Sequence, residues 1–141
     1  MKILIPVDGA ETAQRAVEWV AQTMEGGRSA DVVLLHVRRG PVYLGEIEPL
    51  EYETIDRHER EQQRKVLGRA IEHARGLGMT QVTVEAAQGP IGDEIVRAAR
   101  ERGIDQIVMG SHGRSTAGAL FLGSVAHRVA HLAPMPVTLV K

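Results

Sequence analysis

Short, almost purely apolar runs alternate along this chain with longer stretches in which apolar residues recur at helical spacing. Lys2 to Val7 is apolar after its first residue, with one proline near the end, and such an unbroken run predicts a strand buried on both faces. Asp8-Gly9 turns the chain. Ala13, Ala16, Val17, Val20, Ala21 and Met24 then fall on one face of a helix spanning residues 10–24, which Gly26-Gly27 stops. Asp31 to Val37 predicts a second buried strand. Arg38 to Leu50 holds Gly40-Pro41, Gly45 and Pro49 and reads as a loop. A long helix follows over about residues 51–77. Its polar first half reads as a solvated surface, with Asp56/Arg60 and Glu61/Lys65 at i,i+4 spacing, and its second half gathers Val66, Leu67, Ala70, Ile71 and Ala74 on one face. Thr80 to Ala87 alternates through Val82, Val84 and Ala86 as a third strand. Ile91, Ile95, Ala98 and Ala99 mark a helix ended by Gly103. Asp105 to Met109 is a fourth strand, Val125 to Leu132 a fourth helix closed by Pro134-Met-Pro136, and Val137 to Lys141 a last short strand.

The resulting order, β-α-β-α-β-α-β-α-β, implies an α/β fold with a five-stranded parallel sheet covered on both faces and joined by right-handed crossovers. The economical strand order is 3-2-1-4-5. With 141 residues the chain suffices for one domain with a real core, and the whole of 1–141 reads as a single domain. Apolar content of 43% with 25% charged residues fits a water-soluble protein, and a net charge of −1 offers no field for nucleic acid or an anionic membrane. Aromatic content of 3% leaves no base-stacking platform for single strands. No run approaches the length of a membrane span, and the N-terminal residues do not resemble a signal peptide. The absence of cysteine removes disulfides, thiolate chemistry and zinc–cysteine sites, and fits the cytoplasm.

The candidate chemistry lies where the fourth strand meets the last helix. Gly110-Ser-His-Gly113 follows the apolar Ile107-Val-Met109, and Gly123-Ser124 directly precedes the helix. Glycines permit positive φ and close backbone approach, and a helix start presents free N–H groups with the positive end of the helix dipole. Together they predict a phosphate site. In a doubly wound sheet the ligand crevice lies beyond the carboxyl ends of the strands where the order reverses, here between strands one and four. Asp8 ends one and Gly110 ends the other. On this reading the N–H groups around Gly113, Gly123 and Ser124 hold phosphates, helped by the Ser124 hydroxyl and by Arg114. Asp8 takes ribose hydroxyls or holds Mg²⁺, or serves instead as a helix cap. Backbone groups at Val7 and Val37 meet the base, and Pro6, Met109, His112 and Val125 complete the candidate cofactor-binding set. His112 reads most simply as a loop side chain, His36 as a hydrogen-bonded core residue, and His127 and His131 as surface residues. Ser111, Ser115 and Ser124 show no partner base and acid. No Walker motif or dinucleotide fingerprint is present.

Several segments together resemble the universal stress protein family: Ile3-Leu-Ile-Pro-Val-Asp8-Gly9, Leu34-Leu-His-Val37, Ile107-Val-Met-Gly-Ser-His-Gly-Arg114, Leu122-Gly-Ser-Val-Ala126 and Ala133-Pro-Met-Pro-Val137. The glycine spacing is similar to the family's ATP-binding signature, G-x2-G-x9-G-[ST]. The resemblance implies a flavodoxin-like, adenine nucleotide alpha hydrolase-like three-layer sandwich of the ATP-binding branch. It also implies ATP, AMP or ADP with ribose near Asp8 and adenine near Val37, and a homodimer paired through the last strand. Ala10 stands where the family usually has serine, and Ala119 where it often has a basic residue. The expected role is a nucleotide-responsive stress or regulatory module with little or no hydrolysis and an unknown protein partner. The alternatives are a slow Mg-dependent ATPase or nucleotide phosphotransferase using Asp8 and His112, and an interaction subunit whose nucleotide is structural.

Overall fold

Neighbouring residues of the central strands point into opposite halves of the core, which is why their sequences read as continuous apolar runs. In a computed structural model, which describes residues 1–24, 29–40, 48–113 and 122–141, the elements follow in the expected order. They are β1 (Lys2–Pro6), α1 (Glu11–Met24), β2 (Asp31–Arg38), α2 (Pro49–Gly76), β3 (Val82–Gln88), α3 (Ile91–Glu101), β4 (Gln106–Gly110), α4 (Ser124–Leu132) and β5 (Val137–Val140). Gly26-Gly27, Arg114 and the stretch 41–47 lie outside the described residues.

The five strands form one parallel sheet in the order β3-β2-β1-β4-β5. Ile3, Ile5, Val32, Leu34 and Val108 face α1 and α2, where they meet Ala16, Val17, Val20 and Leu67. Leu4, Val33, Leu35, Ile107 and Met109 face the opposite way, toward Ile95 and Ala99 of α3 and Ala126 and Val129 of α4. Leu4, Ile5, Leu34, Leu35 and Ile107 are completely buried.

The helix ends are built locally. Pro49 begins α2, where its missing N–H has no helical acceptor to lose. At the other end, Gly78 at φ +86° lets its own N–H reach the Arg75 carbonyl at 2.9 Å and that of Met79 reach the Ala74 carbonyl at 3.1 Å. This double closure returns the chain toward the sheet. Gly103 repeats the device after α3, with Ile104 donating to Ala99 at 2.9 Å.

The polar half of α2 is mostly exposed, as its composition implies, but one side of it is fastened to the sheet. Arg38, at the end of β2, is nearly buried and donates to Asp56 at 2.7 Å, to Glu59 at 3.4 Å and to Gln88 at 2.8 Å. The Arg38 hydrogen bond holds the Asp56 carboxyl below its ordinary value. Gln63 is buried, and its Nε2 donates to the His36 carbonyl at 2.8 Å and the Ala87 carbonyl at 3.0 Å. The pair at Asp56 and Arg60 forms, at 2.9 Å, whereas Glu61 pairs with Arg64 at 2.7 Å. Polar side chains here fasten α2 to the carboxyl ends of β2 and β3, where backbone carbonyls would otherwise be left without partners.

Candidate functional site

Strand order reverses at β1, which pairs with β2 on one side and β4 on the other. Crossovers leave β1 and β4 toward opposite faces of the sheet, so a cleft opens above their carboxyl ends. A cavity of about 260 Å³ fills it. Pro6, Val7, Asp8, Val37, Met109, Gly110, His112, Gly113, Ser124 and Val125 all line this cavity. Residues more than a hundred positions apart in the chain thus meet at one place. Gly123 is buried behind the wall and is not among the lining residues.

The two ends of the cleft differ in chemistry. Over β2 and α3 the wall is apolar, with Leu35, Val37, Ile91 and Ile95, and Arg39 stands at its edge. The backbone N–H of Val7 donates to Leu35 at 2.8 Å, so Leu35 turns its backbone groups toward β1. Val37, two residues on, turns its own groups the same way beyond the end of that strand. Over β4 the cleft is polar. Here α4 starts with Gly123 as its cap residue, which makes no side-chain cap. The first intrahelical bond runs from His127 N–H to the Gly123 carbonyl at 2.9 Å. The N–H groups of Ser124, Val125 and Ala126 precede it and have no carbonyl one turn back. All three residues line the cavity. The helix therefore presents donors and the positive end of its dipole at this end.

The glycine pattern works through space and not through unusual backbone angles. None of Gly110, Gly113 and Gly123 has positive φ, and Gly123 sits at φ −63°, ψ 154°, which any residue can adopt. A side chain at Gly110 would place its Cβ 2.6 Å from Thr12 Oγ1 and 2.8 Å from Thr12 Cβ. One at Gly113 would stand 3.1 Å from Asp8 Oδ2. One at Gly123 would stand 3.1 Å from His112 Cα and 3.4 Å from the Ser111 carbonyl oxygen. The first and last parts of the glycine segment are thus pressed together, and Gly123 N–H donates to the Ser111 carbonyl at 2.8 Å.

Thr12 was not evident as a site residue from sequence. It is buried in the first turn of α1, and its hydroxyl donates to the His112 carbonyl at 2.5 Å. The available signal was its place one turn before Ala16 and two before Val20, on the inward face of the helix. Arg39 also lines the cavity, two residues after Val37 and just past the end of β2, where the alternation of a strand no longer marks it in the sequence. Asp8 divides its two oxygens. Oδ1 accepts from Ala10 N–H at 2.9 Å, a tight turn ahead of α1 and not a cap on its first turn. Oδ2 faces Gly113. Ser111 is not without a neighbour: its Oγ lies 3.2 Å from His112 Nδ1. His127 and His131 are exposed on α4. Among the described residues no three His, Cys, Asp or Glu side chains gather as a metal site, and no helix is long and apolar enough to cross a membrane.

The model of the universal stress protein family matches residues 1–141. The chain belongs to that family. A universal stress protein of Thermus aquaticus is 36% identical, over 99% of this chain and 97% of that relative. Universal stress protein MJ0577 of Methanocaldococcus jannaschii has a solved structure that matches this one at a TM-score of 0.81 and 31% identity, covering 99% of this chain and 94% of the other. More distant members share the fold. One from Archaeoglobus fulgidus, solved in complex with dAMP, matches at TM-score 0.72 and 23% identity over 100% and 98% of the two chains. One from Arabidopsis thaliana with AMP bound matches at 0.71 and 18% over 100% and 91%, and one in complex with cAMP at 0.74 and 22% over 100% and 96%. Like them, this universal stress protein is built on the five-stranded parallel sheet with helices on both faces.

Proposed function

We propose that this universal stress protein binds an adenine nucleotide in the cleft above β1 and β4 and acts as a nucleotide-responsive regulatory module. The observation that carries this is the pairing, within one cavity, of an apolar slot with the uncapped start of α4. A planar base suits the first and a phosphate the second. The residues fit such a ligand. Val37 offers backbone groups to the base edge, the α4 N–H groups and the Ser124 hydroxyl offer donors to phosphate, and Asp8 Oδ2 is free to accept from ribose. The relatives solved with AMP, dAMP and cAMP support the adenine class. ATP is the nucleotide that the glycine spacing favours, with Arg114 as a further phosphate ligand. Asp8 is the one carboxylate on the described wall, so Mg²⁺ would be held there with phosphate and water oxygens supplying the remaining ligands.

Hydrolysis is expected to be slow or absent. Phosphoryl transfer rests on positioned positive charge. At the phosphate end the described residues supply backbone donors and no Arg or Lys. Calorimetric titration with ATP, AMP and adenosine tests the reading, alongside identification of any small molecule released on denaturation. Micromolar-range binding of at least one is expected. Saturating adenine nucleotide with magnesium and no heat, no thermal shift and nothing released would overturn it.

The working unit we propose is a cytoplasmic single-domain chain, paired as a homodimer through β5 and read by a regulatory protein. β5 is an edge strand with partly exposed residues and, among the described residues, only β4 beside it. Such an edge is a template for further pairing. Pro136 and Val140 turn their carbonyls toward β4, so Leu139 turns its backbone groups outward. Sedimentation is expected to give a dimer, and Leu139→Pro, which removes an outward N–H, a folded monomer. Persistence of the dimer in that variant would place the interface elsewhere.

A further inference from the structure

The side chains that β2 directs toward α3 run through Val33, Leu35 and Val37, and a period of two carries the row on to Arg39. Leu35, Val37 and Arg39 line the cavity together with Ile91 and Ile95 of α3. Arg39 is the one cation on the described wall. It stands at the end of the cleft remote from Gly113 and α4, because β1 separates β2 from β4. Its surroundings differ from those of its neighbour. The Arg38 side chain is held by Asp56 at 2.7 Å, whereas Arg39 is exposed and makes no ion pair among the described residues.

A guanidinium that no described carboxylate pairs, at the mouth of an apolar slot, suits the face of a planar aromatic ring. It is badly placed for phosphates, which the α4 end would take. Resting on the adenine-nucleotide reading above, we infer that Arg39 covers the base, its plane stacked on the ring from the solvent side while Val37, Ile91 and Ile95 form the floor. Arg39 then contributes affinity for the nucleoside itself, independent of how many phosphates follow. It also closes the slot against water, which strengthens the hydrogen bonds between the base edge and the Val37 backbone.

Titration of adenosine, AMP and ATP into the full chain, its Arg39→Ala variant and its Arg39→Lys variant tests this. Stacking predicts that Arg39→Ala weakens all three ligands by one common factor, roughly two- to thirtyfold. Arg39→Lys, which keeps the charge and loses the plane, is expected to fall between the two. Melting temperatures are expected to match, because the side chain is exposed. A loss confined to ATP would make Arg39 a phosphate clamp and overturn the inference. Unchanged affinity for all three would leave the side chain in solvent and overturn it equally. Failure of the underlying reading is distinguishable, because the unaltered protein would then bind none of the ligands.

Discussion

Gly123→Val is expected to weaken adenine-nucleotide binding at least about a hundredfold, roughly 2.8 kcal/mol, while the protein stays folded. The backbone of Gly123 already has angles that valine accepts, so conformational strain is not the cause. The added Cβ would lie 3.1 Å from His112 Cα and 3.4 Å from the Ser111 carbonyl oxygen. Those atoms are backbone, and they give way only if the segment after β4 moves off the start of α4. The Ser111–Gly123 hydrogen bond stretches with it, and the donors of α4 lose their position against Gly113. Gly123 itself does not touch the cavity, so the loss is one of framing and not of direct blockade. Calorimetry and a melting curve on the variant check both halves. Unchanged affinity would show that the phosphate end is not held by this contact.

Gly110→Val is expected to behave differently, costing stability as well as binding. Its Cβ would fall 2.6 Å from Thr12 Oγ1, 2.8 Å from Thr12 Cβ and 3.1 Å from the Thr12 backbone carbon. Thr12 is buried in α1, and the helix packs Ala16, Val17 and Val20 against the core residues Ile3, Ile5, Leu34 and Val108 of the sheet. It has no room to retreat. Overpacking of this kind costs about 1–3 kcal/mol. Displacing the hydroxyl also forfeits its hydrogen bond to the His112 carbonyl, adding about 1 kcal/mol. Denaturant unfolding should show the midpoint falling clearly at unchanged slope. A midpoint within error of the parent protein would mean that Thr12 repacks freely.

Much of this frame is legible in the residues. Ile3-Leu-Ile at one end and Ile107-Val-Met at the other announce strands with two covered faces, and only central strands of a parallel sheet have them. Two acidic and glycine-bearing strand ends, Asp8 and Gly110, then point to one crevice. What the sequence hides is pairing across distance. Nothing local in Thr12 says that it will rest on Gly110 and bond to His112. The glycine spacing alone therefore suggests positive φ and close approach to a ligand, whereas the immediate constraint is crowding by the protein itself. Gln63 and Asp56 are similar cases. Within a charged helix they look solvated, and only the closeness of the β2 and β3 carbonyls and of Arg38 takes them out of water. Arg39 is hidden for a simpler reason: it lies just past the end of β2, where alternation ceases to be visible.

The bond from Gly123 to the Ser111 carbonyl fastens the two gateposts of the span that carries Arg114. The width of the gateway is then set by the posts themselves. A substitution away from Ser111, Gly123 and their immediate backing therefore leaves that opening as it is.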